Sequence, residues 1–254
     1  MSKEFCFRGP AEMTNVLLSG SIEAVSLANN HTMDYGKGGY ADTIAALDRA
    51  GIASFGTERV FIFEQGNVRI AFFGLWAEDY LAYRDWFRTE IPRLKTEENI
   101  HAVVFVFHAG YEYRPRHSPR QEEYARAAID AGADLVIMHH PHVVQGMEVY
   151  RSRSIFYSLG NFCFGGNKTV REAETLVVQA EMRFADDGTY LGQQMKLYPA
   201  HISGTQPASD FQPRLVGGKN AEKVIALVQA DTDFALPAYH PAWGCVVTEY
   251  LPAE

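Results

Sequence analysis

Residues 133–142 read ADLVIMHHPH. A continuous apolar run, Leu135 to Met138, stops abruptly in three histidines and a proline. Such a run suits a strand buried on both faces, as in a parallel sheet covered by other layers. Two further runs end the same way. AVVFVF (102–107) leads into His108-Ala109-Gly110, and AVSLA (24–28) into Asn29-Asn30-His31. In open α/β sheets the carboxyl ends of the strands are where ligands bind. Any one of these ends is an ordinary polar turn, because Asn, Asp and Gly tolerate positive φ or bond their own backbone. Any one histidine is a satisfied surface or core residue. Three neighbouring strands that deliver Asn, His and His-x-His to one edge fit transition-metal coordination better than they fit turns.

The rest of the chain supports an α/β organisation with two sheets. Pro10 to Ser19 is predicted as a short helix with Leu17 and Leu18 inward, and GYADTIAALDRAG (39–51) as a helix with Ile44 and Leu47 inward. VFIFEQGNVRIAFFG (60–74) is a hairpin turning at Gln65-Gly66-Asn67. Residues 75–90, rich in Trp, Tyr and Phe, are expected as a loop or short helices, with Pro92 opening a helical segment to about Glu98. Trp76 and Trp86 are expected to serve packing. Ser118-Pro119-Arg120-Gln121 is a capping box with Pro at the first helical position. Beyond residue 146 the pattern becomes strands without intervening helices, then a last helix, AEKVIALVQ (221–229). The whole chain, 1–254, is expected to be a single domain.

The totals exclude several classes. The net charge of -8 argues against a nucleic-acid surface. No apolar run approaches the ~20 residues that span a bilayer. The opening MSKEFCFRGPAEM has no apolar signal-peptide core, so the chain as written is expected to be cytoplasmic. Cys6, Cys163 and Cys245 are odd in number and widely spaced, which indicates neither a disulfide framework nor a zinc knuckle.

The strand-end residues form a chemically coherent set. His140 and His142 sit two apart across Pro141 and can face one centre or two adjacent ones. Neutral imidazoles suit Zn, Mn or Fe, and an Asn carbonyl is a neutral oxygen ligand. His31, next to Asn30, falls just outside such a shell, where it can protonate a leaving oxygen or hold a phosphoryl oxygen. Asp34 can fix its tautomer. Tyr113 and Arg114, with Tyr111 and Arg116, are either a grip for an anionic substrate or an ordinary solvated loop.

The set resembles the calcineurin-like metallophosphoesterases, whose blocks GNH[DE], H and GHxH appear here as NNH, HAG and HHPH. More closely it is similar to the CapA family of bacterial capsule or poly-γ-glutamate synthesis proteins. SLANNHTMDYG, HAGYEY, AGADLVIMHHPHVVQGMEVY and IFYSLGNFCF follow that family's blocks in order, closely from Phe5 to Gly165 and loosely beyond. The resemblance implies a β-sandwich flanked by helices, with a divalent transition metal (Mn, Zn or Fe) at the sheet edge. It assigns Asn30, His108 and His140 to one metal, His142 to the other position, His31 as the catalytic imidazole, and Ser158–Phe162 as a loop beside the site. Family members open with a strand ending in Gly-Asp and a second acidic block. No aspartate precedes Asn29 here, so the amino-terminal strand is expected to be missing and one tight metal site is expected. Glu112 and Asp34 are the nearest acids, and neither matches the bridging motif.

Two functions follow from the resemblance. One is a metal-dependent hydrolase acting on an anionic polymer or phosphoester in capsule metabolism. The other is a non-catalytic metal- or polymer-binding subunit. Family members are often membrane-anchored or exported through an amino-terminal segment.

Overall fold

The structure, a computed structural model, describes residues 5–165 and 168–253. In chain order it contains α1 (Thr14–Ser19), β1 (Ala24–Ser26), α2 (Gly36–Arg49), β2 (Ala53–Phe55), β3 (Phe61–Gln65), β4 (Val68–Trp76), α3 (Tyr80–Glu97), β5 (Ala102–His108), α4 (Pro119–Asp130) and β6 (Leu135–His139). Then follow β7 (Met147–Tyr150), β8 (Arg153–Phe156), β9 (Glu174–Phe184), β10 (Tyr190–His201), β11 (Arg214–Leu215), α5 (Gly218–Gln229), β12 (Val246–Val247) and β13 (Leu251–Pro252).

One sheet has the order β3-β4-β5-β6-β8-β7. Its middle, β4-β5-β6-β8, is parallel, and the hairpins β3-β4 and β7-β8 close its two ends antiparallel. The second sheet is antiparallel and built around β10, which pairs with β9 along its whole length and with β11, β12 and β13. β1 and β2 form a separate parallel pair.

The uniform hydrophobicity of β4, β5 and β6 has a specific use. Side chains alternate faces along a strand, so these strands feed two cores. Phe73, Leu75, Val103, Phe105, Phe107, Val136 and Met138 pack under α3 and α4, against Phe87, Ile91, Ala125 and Ile129. Val104 and Leu135 turn the other way, onto Leu176, Met195 and Leu197 of the second sheet and Val224 and Val228 of α5. The result is a β-sandwich with α3 and α4 covering the outside of the first sheet and α5 contributing to the core it shares with the second, consistent with the helix-flanked β-sandwich the resemblance implies. Full burial of each large apolar side chain contributes roughly 1.5–3 kcal/mol.

Three expectations are corrected. Leu18 is not an inner residue: it is 49% exposed, on a helix of six residues preceded by a 3-10 turn. α2 begins at Gly36, earlier than the stretch from Gly39. Residues 75–90 are not a loop. β4 runs to Trp76, and α3 then continues unbroken through Pro92 to Glu97. Its buried residues Tyr80, Phe87, Ile91 and Leu94 lie seven, four and three apart, which is one helical stripe. Exposed Arg84 and Asp85 among many aromatics hide that period. Proline in a helix interior costs about 3 kcal/mol, and burial of that stripe offsets it. Trp86 packs on Phe73, with centroids 5.7 Å apart.

Candidate metal centre

β5 and β6 are neighbours in register, with His108 opposite His139. The chain leaving each strand therefore starts from the same edge. The backbone N–H of Ala109 donates to the carbonyl of His139 (2.8 Å). Gly110 then approaches Pro141 and Gln121 so closely that a Cβ would come within 2.9 Å of both, at a φ of 115° that only glycine adopts easily. Tyr113 N–H donates to the Pro141 carbonyl (2.8 Å). These contacts clamp the loop after β5 onto the loop after β6.

The structure brings Asn30, His108 and His140 together. His108 Nε2 lies 3.0 Å from Asn30 Oδ1 and 3.0 Å from His140 Nδ1. Which ring nitrogen carries the proton in each contact depends on the tautomer, and all three atoms can instead offer a lone pair to a cation. Burial is the main reason that His108 is held down to about 3, reinforced by the neighbouring His140, His139, His142 and His31. His140 is also lowered, first by burial, with His142 and His31 adding to it and Glu112 and Glu78 opposing it. Both imidazoles are thus kept neutral, the state a metal ligand requires.

His142 lies on the same rim, its ring centroid 6.0 Å from that of His140. Its Nδ1 is 2.7 Å from Asn161 Oδ1, and Asn161 Nδ2 faces the His142 carbonyl at 3.4 Å. The amide oxygen is an acceptor, so Nδ1 carries the proton and the Nε2 lone pair remains for a ligand. Glu112, set aside in the sequence for want of a motif, joins this cluster. A carboxylate oxygen of Glu112 and ring nitrogens of His140 and His142 lie within 4.8 Å of one another. The donor set, neutral nitrogens and an amide oxygen with one carboxylate, fits a divalent transition metal.

His31 and Asp34 stand beside this cluster rather than in it. Asp34 Oδ2 accepts from His31 Nδ1 (2.8 Å) and from the Phe7 N–H (2.8 Å), and the Asp34 side chain is only 1% exposed. Asn29 Oδ1 accepts the His31 backbone N–H (2.8 Å). The ring is therefore fixed with Nδ1 protonated and Nε2 outward.

Tyr113 also reaches the site, its ring stacking toward His142 at 5.8 Å. Arg114 lines an adjoining cavity of about 830 Å3 together with Glu112 of this cluster, Arg116 and His117. A second cavity, of about 450 Å3, is lined by His108, His139, His140, His142, Asn161 and Phe164. The sequence placed Asn161 only within the Ser158–Phe162 loop, set Glu112 aside as a nearby acid, and gave no role to the backbone itself. His140, His142 and Tyr113 have φ of 111°, 60° and 57°. Side chains resist that region at about 1–3 kcal/mol each, and such residues cluster at functional sites. The available signal was Pro141, which disfavours helical backbone at His140.

Comparison with known proteins agrees with this architecture. A 5'-nucleotidase precursor from Thermus thermophilus superposes with a TM-score of 0.50 over 87% of this chain and 45% of that one, at 15% identity. The shared feature is the fold alone. Residues 1–166 match the family described as Bacterial capsule synthesis protein PGA_cap, and the chain belongs to that family. It is 34% identical over 218 residues to Capsule biosynthesis protein CapA of Bacillus anthracis, covering 77% of this chain and 52% of the relative. It is 30% identical over 253 residues to PGA biosynthesis protein CapA of Bacillus subtilis (strain 168), covering 92% and 64%. The chain thus spans between half and two thirds of the length of these relatives. Among the described residues no helix is long and apolar enough to cross a membrane.

Proposed function

We propose that this protein is a metal-dependent hydrolase of an anionic polymer or phosphoester in capsule polyglutamate metabolism, working as one domain. The observation that carries the proposal is that His108 Nε2 lies 3.0 Å from both Asn30 Oδ1 and His140 Nδ1, three atoms that can each offer a lone pair to a cation. Those residues would hold a divalent ion, with His142 and Glu112 on its outer side. When bound, the ion supplies Lewis-acid polarisation and a nucleophile at neutral pH.

The remaining roles belong to the chain. His31 presents Nε2 beside the cluster, and Asp34 holds the proton on Nδ1 and supports the imidazolium that forms. Protonated His31 would donate to the leaving atom, the oxygen of a phosphoester or the amide nitrogen of a polyglutamate, which is worth roughly 10²–10⁴-fold. Asn161 orients His142. The clamp of Gly110 and Tyr113 on Pro141 keeps Glu112 facing His140 and His142.

A second reading, a metal- and polymer-binding subunit without hydrolysis, is favoured by one observation. Among the described residues, Glu112 is the sole carboxylate in the His140–His142 donor cluster. One experiment separates the two. Elemental analysis of dialysed protein is combined with single-turnover hydrolysis of poly-γ-glutamate and of a generic phosphodiester. Retained metal with turnover supports the hydrolase, retained metal with binding alone supports the second reading, and no metal in the wild type overturns both.

A further inference from the structure

Arg171 stands over Tyr113, its guanidinium carbon 3.6 Å from the ring centroid. That separation is a cation–π contact, and a guanidinium over a ring face can still offer N–H groups to an anion. Among the described residues no carboxylate pairs with Arg171, although Arg93, Arg126, Arg153 and Arg183 each have one. The ring beneath it is itself held firmly. Tyr113 is kept at a φ of 57° by its N–H bond to Pro141, and it stacks toward His142. Arg171 is therefore a fixed positive charge on a protein of net charge -8, separated by a single aromatic ring from an imidazole of the candidate metal centre.

We infer that Arg171 and Tyr113 form an anion subsite that holds a second acidic group of the ligand while a first lies at the histidine cluster. The inference rests on the function proposed above and narrows it to substrates with acidic groups repeated along a chain, as in a polycarboxylate. A single small anion reaches only one of the two positions. Arg171 comes from the segment before β9, whereas Arg114 lines the adjoining cavity with Glu112.

The test uses the intact protein with Mn2+ and two probes, poly-γ-glutamate and free glutamate, by titration calorimetry, with Mn2+ binding measured separately. Arg171 is exposed, so Arg171→Ala is expected to fold normally. Loss of a charged hydrogen-bonding partner predicts about 10- to 100-fold weaker polymer binding. Free glutamate and Mn2+ affinities are expected to stay within twofold. Arg171→Lys, which keeps the charge but loses the planar, multi-donor guanidinium, is expected in between. Unchanged polymer affinity in Arg171→Ala overturns the subsite, as does a wild type that binds polymer no better than glutamate. Failure of the wild type to bind Mn2+ overturns the metal reading instead, and the effect of Arg171→Ala on the polymer still decides the subsite.

Discussion

Two histidines, His117 and His108, have opposite surroundings. His117 stacks face to face on Tyr157, centroids 3.8 Å apart, with Nδ1 3.0 Å from Asp231 Oδ2. Asp231 also accepts the backbone N–H groups of His117 and Gly146. Asp231 Oδ2 thus meets two backbone N–H groups and the His117 ring, and the cluster ties the start of α4 to the end of α5. His108 has an amide oxygen and a second imidazole in front of it. Burial disfavours charge on both rings. At His117 the hydrogen bond and attraction of Asp231, aided by Glu122 and Glu148, outweigh burial and raise the pKa. At His108 nothing outweighs it, and the ring stays neutral with its lone pair available. The structural cluster pairs its imidazole with a carboxylate, whereas the candidate binding cluster groups neutral nitrogen and amide oxygen atoms around a buried imidazole.

The largest effect that sharpens this contrast is expected at His31. His31→Ala is expected to lower a single-turnover hydrolysis rate by roughly 10²–10⁴-fold while elemental analysis finds wild-type metal content. Equal loss of both would make His31 a ligand. Next comes Asp231→Ala. It strands two backbone N–H groups and a half-buried imidazole, so denaturant unfolding is expected to register a loss of about 2–4 kcal/mol, with metal content unchanged. His108→Ala is expected to do the reverse. Metal affinity falls by more than the roughly 10–100-fold typical of an outer-shell loss, while the metal-free protein keeps most of its stability. If His108→Ala unfolds the protein as readily as Asp231→Ala, the contrast between the clusters collapses.

The smallest effects are pH slopes of opposite sign in the metal-free protein. The unfolded chain takes up a proton on His108 near pH 6.5, but the folded one only near about 3. This contribution is present above 6.5 and is lost as the pH falls toward 3. His117 has a raised folded pKa, so its contribution is complete below the unfolded value and is lost as pH rises through the folded one. Each slope is at most about 1.4 kcal/mol per pH unit. Unfolding midpoints across pH should flatten on the acid side in His108→Ala and on the alkaline side in His117→Ala. The opposite assignment would mean that the two environments are misread.

The strand ends were legible because burial on two faces demands an unbroken apolar run, and the residue that ends it is conspicuous. The capping box at Ser118 was legible for a similar reason, since its partners are three residues apart and local. α3 was hidden because aromatic and charged residues interrupt its stripe and Pro92 suggests a start rather than an interior. Glu112 was hidden because its proximity to His140 and His142 depends on how Gly110 sits on Pro141, a contact between two loops. Arg171 was hidden for the same reason at longer range: it meets Tyr113 from 58 positions along the chain.

β5 has paired neighbours on both edges and a packed core on both faces. Its amide protons should therefore exchange with deuterium only when the whole sandwich opens. An ion bound at His108 stabilises the closed state by RT ln(1 + [M]/Kd). Exchange at Val104 or Phe105 would then slow by the same factor as at the site itself. Mass spectrometry of peptides from this strand becomes a gauge of occupancy that needs no substrate and no spectroscopically visible metal.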